Sequence, residues 1–300
     1  MRGWWQDLTD LVLPADCAGC GAPRTALCPR CRATLDGSVP RRARPEPEPA
    51  GLPVVHAVAP YAAEVRALLL AHKERGALAL AGTLGTALAG AVRAGLGAAG
   101  GVGAGPARDT GAGAGAAGWS WRGPVLLVPV PSARWAVRAR GHDPVRRMAL
   151  AAAGELRRTG TPARVAAVLR QRRAVADQAG LDARRRRENL AGALEVTEAG
   201  GRLLGTGRVV LVDDLMTTGA SLAEAARALR EAVVSRRDDR TVVYRAITRE
   251  GRGERRIGVR PEEEEWMHDA SEKGAPNALG WMLRAAVIAA PRGSFEINRN

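Results

Sequence analysis

Short apolar runs alternate with helix-period segments along most of this chain. Val54–Tyr61 predicts a strand. Glu64–Val92 predicts helix, with Val65, Leu68, Leu69 and His72 on one face and a break near Gly76. Val125–Val130 lies between Pro124 and Pro131 and reads as a buried strand. Asp143–Arg157 repeats Val145, Met148, Ala149, Ala152 and Leu156 at helical spacing. Arg164–Leu169 predicts another short strand, and Arg208–Val212 a buried one. Ser221–Val233 is helical through Leu222, Ala225, Leu229 and Val233. A last strand is expected at Leu283–Ala290, with Thr241–Ile247 as its rival. Strands alternating with helices predict an α/β domain with a largely parallel sheet flanked by helices.

Three stretches break this rhythm. Residues 40–53, PRRARPEPEPAGLP, read as an extended, solvated spacer. That places a small module at 1–39, a Pro-rich linker at 40–53 and the main domain at 54–300. Residues 94–118 are almost wholly Gly and Ala, which predicts a flexible loop. Residues 235–281 are polar and rich in Arg and Glu, with Glu262–Glu265 in a row, and read as a solvated face or loop.

Composition narrows the core and the partners. The 300 residues are 46% apolar and 25% charged, which excludes wholesale disorder. Aromatics are only 3%, so the core must be built from Ala, Leu and Val. Recognition by rows of stacked bases is disfavoured for the same reason. The net charge is +14, yet Lys73 and Lys273 are the only lysines among 45 basic residues. A polyanionic partner and a GC-rich coding bias both account for that balance. The first 13 residues carry acids where a secretory signal needs apolar residues. Gly76–Val92, the longest uncharged stretch, is too short and too weakly apolar for a membrane span. A soluble, cytoplasmic chain is expected.

All four cysteines, Cys17, Cys20, Cys28 and Cys31, lie in two C-x-x-C pairs. Two-residue spacing lets both sulfurs of a turn face one ion, and two such turns complete a tetrahedral S4 site. Redox chemistry or a disulfide is the alternative. Two pairs in a chain without an export signal favour zinc. A filled four-sulfur shell leaves no open position, so the zinc is expected to be structural.

The chemistry concentrates at residues 209–221, VVLVDDLMTTGAS. An apolar strand ends in two acids, and a loop of small and hydroxyl residues then opens a helix. Ligands of open α/β sheets bind at the carboxyl ends of strands. Helix N-termini offer free N–H groups and partial positive charge. Gly219 lets the backbone approach a ligand, while Thr217, Thr218 and Ser221 add hydroxyl donors. This makes a phosphate cradle, and Asp213 and Asp214 beside it suit the two hydroxyls of a ribose. A nucleotide P-loop is excluded, because G-x-x-x-x-G-K-[ST] is absent.

This stretch resembles the signature of the type I phosphoribosyltransferases, which bind 5-phosphoribosyl 1-diphosphate with Mg²⁺. Further segments resemble the ComF family (competence protein F), a double zinc ribbon followed by a phosphoribosyltransferase domain. They are the N-terminal C-x-x-C pairs, and Tyr61 with Leu68, Leu69, Lys73 and Gly76. VPVPS at 128–132 with Arg140 and Gly141 resembles a diphosphate-binding loop. Gln178, Leu181, Arg186 and Asn189 match a Q-x-x-L-x4-R-x-x-N segment. The resemblance covers most of residues 10–234, and the terminal PRGSFEINRN fits it too.

The resemblance implies roles. Asp213 and Asp214 would hold the ribose hydroxyls, the second through Mg²⁺, and Thr217, Thr218, Gly219, Ala220 and Ser221 the 5′-phosphate. Ser132, Arg140 and Arg138 would contact the diphosphate, and Lys73 would reach the site from a mobile segment. Diphosphate would leave C1 through an oxocarbenium-like state. The second function implied is a non-catalytic accessory of DNA uptake, with single-stranded DNA and a helicase-like protein as partners.

The chain departs from the family in three places. RGHDP at 140–144 puts His142 and Asp143 where the family has other residues; His142 is either an acid–base group or a packed histidine. Thr217 stands where purine-salvage relatives carry an acid, which leaves the acceptor base undefined. An insertion and a reading-frame slip both account for residues 235–281. The run Arg184–Arg187 reads either as a grip on a polyanion or as a solvated helix with one functional residue, Arg186.

Overall fold

The computed structural model describes residues 16–100, 123–173, 175, 182–250 and 283–296, with backbone alone at 98–100, 183, 205 and 236–250. A six-stranded sheet runs through it in the order β1-β2-β8-β7-β3-β4. The strands are β1 (Arg41–Ala43), β2 (Val54–Pro60), β3 (Val125–Pro129), β4 (Ala163–Val165), β7 (Arg208–Leu215) and β8 (Arg284–Ala290). All neighbours pair in parallel except β1, which runs antiparallel to β2. The expected α/β class and parallel sheet are therefore present. A separate two-stranded antiparallel hairpin joins β5 (Leu169–Gln171) to β6 (Leu194–Val196).

Both faces of the sheet are buried, as its continuous apolar strands require. One face sends Val125, Leu127, Val210, Val212 and Ile288 into a core with α2 (Ala63–Glu74), α3 (Leu80–Gly100) and α5 (Pro144–Arg158). The other sends Leu126, Val128, Val209, Leu211 and Val287 toward the hairpin and α8 (Ala220–Glu250). The period-2 alternation of strand side chains splits one apolar run between two cores. Scarcity of aromatics is met by close helix approach. A methyl on Gly85 of α3 would lie 2.4 Å from the Ala151 Cβ on α5, so the two helices touch backbone to backbone.

The predicted helical faces are buried as expected: Val65, Leu68, Leu69 and His72 on α2, and Val145, Met148, Ala149, Ala152 and Leu156 on α5. Asp143 caps α5, its Oδ1 accepting from the Arg146 N–H at 3.0 Å, and Pro144 fills the first turn. The short helices are α1 (Pro29–Asp36), α4 (Arg134–Arg140), α6 (Ala183–Leu190) and α7 (Glu198–Gly201).

Four expectations need correcting. Arg164–Leu169 is two strands in different sheets, because the chain turns at Ala166–Val168 after pairing with β3. Thr241–Ile247 is helical within α8, which leaves Leu283–Ala290 as the last strand. Residues 94–100 continue α3, and the rest of the Gly/Ala run lies outside the described residues. Residues 235–250 likewise continue α8, and 251–281 lie outside.

The fourth concerns residues 40–53, which are not a solvated spacer. β1 pairs with β2, and Ala43, Pro45, Pro49 and Pro53 are buried. An edge strand tolerates nearby prolines because its outer N–H groups bond nothing in the sheet. Phe295 bridges to Ala43, and the Arg41 guanidinium lies 4.6 Å from its ring centre, closing the sheet edge.

Among the described residues no helix is long and apolar enough to cross a membrane.

Candidate functional site

β3 and β7 are neighbours at the middle of the sheet, and their carboxyl ends open into one cavity of about 440 Å³. Lys73, Ser132, Arg140, Asp213, Asp214, Thr217 and Ser221 line it together. These predicted residues come from four separate segments, which parallel pairing and the crossover helices bring to one end of the sheet. Thr218, Gly219, Ala220 and Arg138 are not among the lining residues.

The two acids are consecutive in a strand, so they start from opposite faces. Asp214 lies on the side of α2, where Lys73 meets its Oδ2 at 2.9 Å. Lys73 therefore reaches the site from the last turn of a regular helix. The Asp214 carboxylate beside it holds the Lys73 ammonium above its ordinary range. Asp213 is buried, and its Oδ1 accepts the Asp214 N–H at 2.9 Å. Burial, then the Asp214 charge, pushes the Asp213 carboxyl well above the usual carboxylate range.

Two cations reach the cavity from its rim. Arg140 donates Nε and Nη2 to both oxygens of Glu74, at 2.9 and 2.8 Å. Arg186 on α6 donates Nη1 to Thr217 Oγ1 at 3.0 Å. Of the matching segment, Arg186 and Asn189 lie on α6, whereas Gln178 and Leu181 lie outside the described residues.

Gly219 meets a second demand besides the expected ligand approach. Its φ is +74°, and a methyl there would meet Leu52 at 3.1 Å and Pro45 at 3.2 Å. Glycine is needed for the left-handed turn and to let the 40–53 segment cross the start of α8. His142 sits 3.1 Å from the Arg140 carbonyl and 3.3 Å from that of His72, and does not line the cavity.

Three contributors escaped the sequence. Glu74 meets Arg140 across 66 positions. Trp135, 60% exposed, lines the cavity mouth. Glu224 is buried on α8 and accepts the Leu194 N–H at 3.0 Å while gripping Arg227 at 2.7 Å. It thereby fixes Leu194, a cavity wall, to α8. Burial works against its charge, yet Arg227 and the N–H groups of Leu194 and Gly192 hold its carboxyl below the usual range. A lowered carboxyl stabilises the fold above its unfolded pKa, and loses that contribution as pH falls through the folded one. Glu224→Ala is expected to cost about 2–3 kcal/mol at pH 7, with the gap to wild type narrowing below about pH 4. Urea denaturation of both proteins at pH 7 and pH 3.5 checks it.

The sequence matches no family model and no curated protein.

A second site lies on the N-terminal segment. The sulfurs of Cys17, Cys20, Cys28 and Cys31 all lie within 4.8 Å of one another. Tetrahedral Zn–S bonds of about 2.3 Å set sulfurs about 3.8 Å apart, so the set fits one ion. Cys28 donates its backbone N–H to Cys17 Sγ at 3.3 Å, and Cys31 to Cys28 Sγ at 3.4 Å. Burial opposes the Cys17 thiolate, but N–H groups of Cys28, Cys20 and Gly19 pull its thiol down to about 6. Burial pushes the Cys31 thiol up. One sulfur is thus ready to bind a cation, and a buried one gains from it. No disulfide joins these cysteines; they are positioned to bind a metal ion, consistent with structural zinc.

Proposed function

We propose that the chain is a Mg²⁺-dependent phosphoribosyltransferase of the ComF type, binding 5-phosphoribosyl 1-diphosphate in the β3–β7 cavity. The observation that carries this reading is the meeting of Asp213, Asp214, Thr217 and Ser221 with Ser132 and Arg140 around one cavity. Its volume, about 440 Å³, is in the range of small-molecule sites.

Asp213 and Asp214 hold the ribose hydroxyls, and Thr217 and Ser221 receive the 5′-phosphate at the start of α8. Ser132 and Arg140 face the diphosphate, for which Arg140 exchanges its Glu74 partner. The oxygens of Asp213 and Asp214, side by side at the end of β7, suit a hard cation. Asp213 and Asp214 would hold Mg²⁺, which would supply charge neutralisation for the departing diphosphate. The C1–O bond breaks, its electron pair leaves with diphosphate, and the acceptor attacks C1. Zinc in the four-cysteine site holds the N-terminal module.

Calorimetric titration of Mg²⁺–phosphoribosyl diphosphate tests this, with the D213A/D214A variant alongside. Binding that the variant loses is expected. Unchanged binding in the variant, or none to the folded wild type, overturns the reading.

A second reading, a DNA-uptake accessory binding single-stranded DNA and a helicase-like partner, is favoured by α4. Exposed Arg134, Trp135 and Arg138 share that short helix, with exposed Arg146 and Arg147 on the next. An aromatic face among arginines suits an unpaired base and its phosphates. Oligonucleotide anisotropy should fall steeply with salt and weaken in Trp135→Ala. Salt-insensitive or absent binding removes this reading. The chain is expected to act in the cytoplasm.

A further inference from the structure

Every acid lining the cavity is already committed. Glu74 accepts both arms of Arg140, and Asp214 pairs with Lys73. Asp213 is buried, and its Oδ1 accepts the Asp214 N–H. Neither His72 nor His142 lines the cavity. Among the described lining residues, each acid thus already has a partner of its own.

Arg186 has the opposite character. Its Nη1 is spent on a neutral hydroxyl, it faces no carboxylate among the described residues, and its buried Nε has no partner. A buried guanidinium N–H without an acceptor is costly, and such groups are rare enough to require an explanation. The guanidinium gains hydrogen bonds when it turns toward an anion in the cavity it lines. Its Nε–Nη2 edge, the one not used on Thr217, matches a carboxylate side-on. Thr217 Oγ1 accepts from Arg186, so its own hydroxyl proton is left to donate.

We infer that Arg186 receives the acceptor of the transfer, and that this acceptor is a ring carrying an anionic group. The inference rests on the transferase reading above. The ring nitrogen gives its lone pair to C1, and the C1–O pair leaves with diphosphate. A C–N bond replaces the C–O bond, and no proton changes hands. With a ring nitrogen that bears no proton, the step balances without a base.

Nicotinate and nicotinamide test this. Both are flat, both offer an unprotonated ring nitrogen at neutral pH, and they differ in the charge of one substituent. Calorimetry with each, with and without Mg²⁺–phosphoribosyl diphosphate, is expected to show nicotinate binding at least about tenfold tighter. Arg186→Gln should bring that ratio toward one, with Arg186→Lys in between. Equal affinity in wild type overturns the inference. So does a ratio that survives in Arg186→Gln while phosphoribosyl diphosphate weakens, since Arg186 would then serve the sugar's phosphates. Discrimination through Arg186 in a protein that ignores phosphoribosyl diphosphate keeps the anion site and removes the transferase reading. Phosphoribosyl diphosphate binding with no discrimination does the reverse.

Discussion

Stripping the metal from the four-cysteine site is expected to lower the melting temperature by ten degrees or more, and to loosen α1 and α2 together. Structural zinc contributes about 10–16 kcal/mol to folding in small isolated modules. Here much of that would be spent ordering the segment itself, and the remainder reaches the main core. Cys17, Cys28, Cys31 and Leu35 belong to the same apolar cluster as Val58, Leu68, Leu84 and Leu88. Cys31 and Leu68 are wholly buried, and a methyl on Gly19 would lie 2.8 Å from the Cys31 sulfur. Four unligated sulfurs in that space cannot all ionise, so the segment must open and uncover Leu68. At about 2–4 °C per kcal/mol for a chain of this size, a loss of a few kcal/mol gives the shift. Scanning calorimetry with and without a chelator, with released zinc counted by a colorimetric indicator, reads it. Release of one equivalent with no change in melting would show the cluster to be decorative.

Asp213→Asn is expected to abolish ligand binding and stabilise the empty protein at once. The wild-type carboxyl is buried beside Asp214, and burial followed by that charge raises its pKa. The sign follows from linkage. A raised carboxyl binds its proton more tightly when folded, so the fold loses stability as pH rises above the unfolded pKa, about 3.9, until the folded group itself ionises. Asparagine carries no such penalty, and its Oδ1 can still accept the Asp214 N–H. The variant should therefore melt higher at pH 7.5, by about 1–2 kcal/mol, with no advantage at pH 3.5. The same change removes an oxygen ligand for the sugar and its cation, and affinity for Mg²⁺–phosphoribosyl diphosphate should fall at least about a hundredfold, in line with charged hydrogen bonds. A variant that melts lower than wild type at pH 7.5 would mean that Asp213 is a structural partner rather than a strained one.

Much of this architecture was legible because it is written locally. The apolar run before Asp213 marks a buried strand, and the abrupt change to acids marks its end. Asp143 before Pro144 marks the start of α5, and the spacing of four cysteines marks a metal site. What escaped is written between distant positions. Nothing local to Glu74 says that Arg140 will take both its oxygens. Nor does α8 announce that Glu224 will satisfy a backbone N–H on Leu194, 30 positions away. The prolines of residues 40–53 misled for a related reason. Composition measures a segment's local preference, whereas β1 is held by β2 and by Phe295 from the far end of the chain. Gly219 was legible as a point of close backbone approach, but its tight neighbours, Leu52 and Pro45, were not.

Those neighbours matter for anyone who cuts or grafts this gene. Leu52 and Pro45 cover Gly219, and the Gly51 carbonyl accepts from Arg230 Nη1 at 2.9 Å. The residues that follow the cysteines are thus the outer wall of the loop that opens α8. A fusion junction at residue 54, where a cassette boundary looks natural, would strip the sheet of its edge strand and leave the hydroxyl loop without its backing. A junction ahead of Pro40 keeps both.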